Sequence, residues 1–101
     1  MDRTWVEVGS EADFSSGLKT VTVGSEAVLV GRLEGRLIAC AAKCPHAGIS
    51  MEHAEVDGAI LTCPLHGWRF DMNNCGAEIH GYRGLPTREL KIENGTVYIG
   101  A

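Results

Sequence analysis

The alternation of apolar and polar residues predicts that this chain is built from short β-strands. Apolar and polar residues alternate over 19–23 and 88–92, which is the period of a strand with one buried face, whereas residues 27–33 and 36–41 are continuous β-rich runs. One short helical turn, with Ser10 as its N-cap, is predicted over residues 10–14. The predicted strands cover residues 5–8, 19–23, 27–33, 36–41, 55–56, 59–62, 68–71, 88–92 and 96–99.

Turn residues connect these strands into hairpins. Two-residue turns are predicted at Glu34-Gly35, Asp57-Gly58 and Asn94-Gly95, each between apolar segments. Residues 73–76 form a further predicted turn, and residues 81–86 an ordered loop. The predicted fold class is therefore all-β and antiparallel. The length of 101 residues fits one domain over residues 1–101.

Composition and charge exclude several classes of partner. The net charge is −4 and no basic patch contains aromatic residues, so a nucleic-acid partner is not expected. No segment approaches the roughly 18 apolar residues of a membrane span, and the first residues do not resemble a secretory signal. We therefore expect no membrane association and a cytoplasmic location, where the four cysteines would be thiols or metal ligands.

Two short segments carry the candidate metal ligands Cys44, His46, Cys63 and His66. Their pattern is Cys-x-His, sixteen residues, then Cys-x-x-His. Thiolates and imidazoles in equal number suit an iron–sulfur cluster or zinc rather than calcium or magnesium. Zinc sites usually pair ligands of one kind, whereas each segment here is mixed. A zinc site nevertheless stays open, because Cys40 or Cys75 could replace one of the four ligands.

The segments resemble the metal-binding motifs of the Rieske ferredoxin family, especially the electron carriers of bacterial ring-hydroxylating dioxygenases. The resemblance rests on the Cys-Pro-Leu-His-Gly-Trp-Arg-Phe-Asp run over residues 63–71 and on Cys44-Pro45-His46. It implies a Rieske-like β-sandwich with two cluster-binding hairpin loops and one [2Fe–2S] cluster. The two cysteines would hold one iron and the two histidines the other. It also implies that the loop around residues 84–86 covers the cluster.

The function implied by this resemblance is one-electron transfer from a flavoprotein ferredoxin reductase to a terminal oxygenase. The chain would be a monomeric carrier in aromatic hydrocarbon catabolism and not an enzyme, and no catalytic residues are expected. A low reduction potential is expected, because the positions of extra cysteines and hydroxyl donors in high-potential members hold other residues here. Those positions are Ile49, Leu65, Trp68 and Phe70. Alternatives are a small subunit of a nitrite reductase or other oxidoreductase complex, and a zinc-stabilised interaction module.

Several neighbouring residues have predicted supporting positions. Gly48 and Gly67 would let the backbone approach the sulfur atoms, and Trp68 would pack beside the cluster or in the core. His53 and His80 lack ligand spacing and are expected at the surface. Cys40 is expected to be a buried inert thiol and Cys75 an exposed, oxidisable one.

Overall fold

The computed structural model describes residues 4–15, 17–45, 48–64 and 67–100, which fold into three antiparallel sheets. Within these ranges there is no α-helix, and two 3-10 turns cover Glu11–Phe14 and Met72–Asn74. None of the described helices has the length and apolarity needed to cross a membrane. The strands are β1 Trp5–Ser10, β2 Leu18–Val23, β3 Glu26–Leu33, β4 Arg36–Ala41, β5 Glu55–Asp57, β6 Ile60–Thr62, β7 Arg69–Asp71, β8 Ala77–Glu78, β9 Leu90–Glu93 and β10 Thr96–Gly100.

The sheet of β2, β3 and β4 lies between two separate groups of buried side chains. Its central strand, β3, is buried along most of its length, because both of its faces are covered. On one face Leu29 and Cys40 belong to a core with Leu61 and Phe70 of the β5–β6–β7–β8 sheet. On the other face the core joins this sheet to β1, β10 and β9. Its fully buried members from these strands are Val28, Val30, Val97 and Ile99.

The predicted hairpins and the N-terminal turn are confirmed, with small shifts of boundary. β3–β4, β5–β6 and β9–β10 pair antiparallel as the turn residues predicted. The helical turn is a 3-10 turn that begins after Ser10. The Asp13 carboxylate accepts a hydrogen bond from the Ser10 backbone N–H at 3.0 Å, which lowers the pKa of Asp13.

Two segments differ from the predicted strands and turns. The strand predicted over residues 88–92 begins only at Leu90, because the preceding residues pair with β4. Thr87 forms a bridge with Cys40, and the Arg88 N–H donates to the Ala39 carbonyl at 2.8 Å. The turn predicted over residues 73–76 is a 3-10 turn followed by β8, whose two residues are too few to give a sequence pattern.

Candidate metal centre

The two cysteine-containing segments form loops with the same backbone hydrogen bonds. The first ligand loop (residues 44–49) is closed by the pair Lys43–Ser50, and the second (residues 63–68) by the pair Thr62–Arg69. In each loop the cysteine N–H donates to the carbonyl five residues later, at 2.8 Å in the first loop and 2.7 Å in the second. In each loop the cysteine carbonyl accepts from the N–H four residues later, at 2.8 and 3.1 Å. The described residues of the two loops thus make the same two backbone hydrogen bonds.

The sequence explains why the two loops share these hydrogen bonds. Both have cysteine, proline and glycine at their first, second and fifth positions. The fifth residues, Gly48 and Gly67, have φ values of +68° and +73°, in the left-handed region where a side chain is strained. Pro45 and Pro64 restrict φ directly after the cysteines. These features restrict the backbone on either side of the predicted histidine in each loop.

Both loops direct their cysteines into one core. Cys44 and Cys63 are each 1% exposed and belong to the same cluster of buried residues. The last residues of the two loops, Ile49 and Trp68, pack against that same cluster. The fold therefore brings the two predicted thiolate ligands into one buried, largely apolar region.

The two predicted imidazole ligands, His46 and His66, lie outside the described residues. In the described part of the chain no three His, Cys, Asp or Glu side chains are grouped as they would be around a metal ion. Of the four predicted ligands, only Cys44 and Cys63 lie in the described part of the chain. The zinc alternative, in which Cys40 or Cys75 replaces one of the four ligands, also needs a histidine outside the described residues, so this finding does not test it.

The loop predicted over residues 81–86 is confirmed as a segment without strand or helix, and it is attached on two sides. The Leu85 N–H donates to the Gly76 carbonyl at 2.8 Å, and the Ala41 N–H donates to the Pro86 carbonyl at 2.8 Å. Gly76 is required there, because an added Cβ would lie 2.0 Å from the Leu85 carbonyl oxygen. Leu85 is fully buried in the cluster that contains both loop cysteines. The prediction that this loop covers a metal cluster stays a prediction.

Trp68 connects the second ligand loop to an exposed aromatic residue. Its ring stacks on Tyr82 with centroids 4.9 Å apart and an interplanar angle of 21°, and it lies 6.5 Å from Phe70. Tyr82 is 60% exposed, whereas Trp68 is only partly exposed. Trp68 is thus neither a simple core residue nor a fully exposed one.

Sequence reasoning missed the buried carboxylate of Glu78. Within the described ranges it is the only buried charged residue, at 4% exposure. Burial acts to raise the pKa of Glu78, but hydrogen bonds from the backbone N–H groups of His80 and Tyr82 outweigh burial and hold that pKa below its usual value. Nothing in the local sequence distinguishes this glutamate from an exposed one, since its donors are backbone groups.

The remaining predicted residues lie where the sequence suggested. His53 is exposed, as expected, and lines a shallow cavity of about 320 Å³ with Cys63, Pro64 and Gly67. His80 is also exposed, although its Nδ1 lies 3.2 Å from the Glu78 carboxylate. Cys40 is buried, which raises the pKa of its thiol to about 12, and Cys75 is exposed.

Comparison with known proteins identifies the class to which this fold and these loops belong. Residues 4–87 match the Rieske [2Fe-2S] domain family, and the chain belongs to that family. The ferredoxin component of the alkene monooxygenase system of Xanthobacter autotrophicus is 32% identical over 98% of this chain and 83% of that protein. The ferredoxin component of the naphthalene 1,2-dioxygenase system of Pseudomonas putida is 30% identical over 94% of this chain and 93% of that protein.

A solved structure has the same fold. It is a complex of reduced oxygenase and oxidised ferredoxin in carbazole 1,9a-dioxygenase. The matched chain has a TM-score of 0.84 at 24% identity, over 98% of this chain and 94% of that chain. The predicted all-β, antiparallel Rieske-like fold is thereby confirmed.

The described residues fit the cluster that members of this family carry. A Rieske centre needs two thiolates on one iron and two imidazoles on the other. Cys44 and Cys63 meet the first requirement by chemistry and by their common burial. Each loop also contains one histidine, at its third position in the first loop and its fourth in the second. The family membership and this donor set both support a Rieske-type [2Fe–2S] cluster.

Proposed function

We propose that this protein is a one-electron carrier in which Cys44, His46, Cys63 and His66 hold the Rieske [2Fe–2S] cluster. The observation that carries the proposal is the pair of matched ligand loops, which deliver two buried cysteines to one core. When bound, such a cluster supplies reversible one-electron chemistry at a potential tuned by its surroundings. No bond of a substrate is made or broken by the chain itself, so the protein is a carrier and not an enzyme.

The chain's contribution is to fix the ligands and to exclude water from the thiolate side. The backbone hydrogen bonds of each loop set the direction of its cysteine. Leu61, Phe70 and Leu85 surround the cysteines with apolar side chains that are fully buried. A low-dielectric surrounding of this kind disfavours added negative charge. Together with the absence of nearby side-chain hydroxyls at Trp68 and Phe70, it supports a low reduction potential.

We infer that the electron comes from a flavoprotein reductase and is delivered to a terminal oxygenase. The two relatives described above are ferredoxin components of oxygenase systems, and the similar structure is a complex of ferredoxin with oxygenase. Because these relatives are ferredoxin components, a carrier is favoured over the small subunit of a nitrite reductase. The naphthalene system further supports a place in aromatic hydrocarbon catabolism.

We also infer one Rieske domain over residues 1–101, a cytoplasmic location and a monomeric state. The pairing of β1 with β10 supports one domain, since strands from both ends of the chain share a sheet. The exposed thiol of Cys75 suits a reducing compartment.

The ligand assignment is tested by removing the four ligands one at a time. We expect Cys44→Ser, His46→Ala, Cys63→Ser and His66→Ala to lose the visible absorption of the cluster and most of the bound iron. The matched controls His53→Ala and Cys75→Ser keep both, because neither side chain is a ligand. Iron and sulfide content with visible spectra decide the outcome. A full cluster in His66→Ala would reject this ligand set.

A further inference from the structure

The turn after β8 is organised around the carboxylate of Glu78. The Glu78 side chain has no exposed surface, and its Oε1 accepts hydrogen bonds from the backbone N–H groups of His80 at 2.6 Å and Tyr82 at 3.3 Å. Its Oε2 lies 3.2 Å from His80 Nδ1. The Gly81 N–H closes the turn by donating to the Glu78 backbone carbonyl at 3.0 Å. One buried carboxylate thus compensates two backbone donors that would otherwise need water.

This turn is tied to the strand that leaves the second ligand loop. Glu78 is the β-sheet partner of Phe70, and the Ile79 N–H donates to the Arg69 carbonyl at 3.0 Å. The end of the turn places Tyr82 on the ring of Trp68, the last residue of that loop. The Trp68 carbonyl in turn accepts from the Cys63 N–H at 2.7 Å. A continuous set of contacts therefore runs from Glu78 through Tyr82 and Trp68 to Cys63.

We propose that Glu78 is a positioning residue for electron transfer, because it holds Tyr82 on Trp68 and so limits the access of water to the second ligand loop. Tyr82 is 60% exposed, so without the turn its side chain would sample several rotamers. The stack needs the backbone of Tyr82 to stay where the Glu78 hydrogen bonds hold it. The proposal rests on the proposed function, because it takes the second ligand loop as part of a redox-active cluster site.

Two readouts of the holoprotein test this role. The first is hydrogen exchange of the Tyr82 and His80 amides. In Glu78→Gln the neutral amide is a weaker acceptor than the carboxylate, so we expect both amides to exchange faster, on the order of tenfold. Glu55→Gln, an exposed carboxylate in the same sheet, is the matched control and leaves them unchanged. Unchanged exchange in Glu78→Gln would overturn the proposal.

The second readout is the midpoint potential in a double-mutant cycle. Reduction adds negative charge, which water stabilises, so Glu78→Gln and Tyr82→Ala should each raise the midpoint. If Glu78 acts through Tyr82, the shift in Glu78→Gln/Tyr82→Ala is smaller than the sum of the two single shifts. Tyr82→Phe keeps the aromatic ring and should keep the wild-type midpoint.

The double-mutant cycle can also contradict the proposal. If the carboxylate charge acted directly, its loss in Glu78→Gln would raise the midpoint by the same amount whether or not Tyr82 is present. Strict additivity, or no shift at all in Tyr82→Ala, would therefore overturn the proposal. Failure of the proposed function itself has a different signature, since the wild-type protein would then show no reversible one-electron reduction.

Discussion

At the scale of single residues, Trp68 and Phe70 bear most directly on the reduction potential. They occupy the positions at which high-potential Rieske proteins carry hydroxyl donors, and neither side chain has a hydroxyl. A hydrogen bond to a charged group is worth about 1.5–3 kcal/mol. For one electron, where about 1.4 kcal/mol corresponds to 59 mV, each missing donor lowers the potential by up to roughly 60–130 mV. Rieske centres span about −150 to +300 mV, and we expect this protein near −150 mV.

Phe70→Tyr tests this explanation of the potential. Phe70 is fully buried in the cluster of residues that contains Cys63, so an added hydroxyl would lie in the same apolar region. We expect the midpoint to rise by tens of millivolts, roughly the lower part of the range for one donor. Protein-film voltammetry measures it. A wild-type midpoint above zero would reject the low-potential interpretation.

Features of the site that depend on local residue types could be predicted from the sequence, and features that depend on distant backbone groups could not. The positions of Cys44 and Cys63 in tight loops followed from cysteine, proline and glycine spacing, because those residues restrict the backbone locally. The role of Glu78 could not be predicted, because its partners are backbone N–H groups that only the folded turn brings together. The stack of Tyr82 on Trp68 was missed for the same reason.

At the scale of elements, the four strands of the sheet that carries the second ligand loop are the shortest in the described part of the fold. β5, β6 and β7 have three residues each and β8 has two, whereas β3 has eight. Short strands contribute few backbone hydrogen bonds and little buried area, so their sheet needs additional support. Metal ligation that joins the two loops would provide that support.

Removal of the metal should therefore loosen the sheet of β5, β6, β7 and β8 more than the other two sheets. We expect the apo protein to melt at a lower temperature than the holo protein. In the apo protein the backbone amides of β6 and β7 should exchange faster, while those of β3 and β10 stay protected. Hydrogen exchange followed by mass spectrometry or NMR measures this difference. Coincident melts, or equal changes in all three sheets, would contradict the coupling of metal and sheet.

Element prediction succeeded where local signals were strong and failed where pairing was non-local. Asp57-Gly58 and Asn94-Gly95 specify hairpins through their own backbone preferences. The start of β9 was misplaced because residues 86–88 pair with β4, which lies far away in sequence. The pairing of β8 with β7 is likewise a property of the folded chain.

At the scale of the whole molecule, this negatively charged chain has one exposed cation beside each ligand loop. The chain carries a net charge of −4, yet the residues that close the two ligand loops include the exposed cations Lys43 and Arg69. Among the described residues neither cation forms an ion pair, in contrast to Arg32, Arg88 and Lys91. Exposed charges at a rim affect mainly the rate of association with a partner.

Reversal of one of these charges tests whether partners bind over the loops. We expect Lys43→Glu to slow electron delivery to the oxygenase several-fold at low salt and to leave the midpoint unchanged. Lys91→Glu, which makes the same charge change on β9 in a different sheet, is the control. Stopped-flow rates at increasing ionic strength provide the measurement. Equal rates for wild type and Lys43→Glu at low salt would place the docking surface elsewhere.

Pulsed EPR of the dithionite-reduced protein tests the central claim most directly, because it detects the ligands of the cluster. Addition of one electron to two coupled ferric irons leaves one unpaired spin, which couples to the nitrogen nuclei bound to iron. We predict couplings from two imidazole nitrogens in the wild type, which persist in His53→Ala and His80→Ala. A reduced signal without nitrogen coupling, or a protein that binds zinc and gives no signal, would contradict a Rieske cluster held by two cysteines and two histidines.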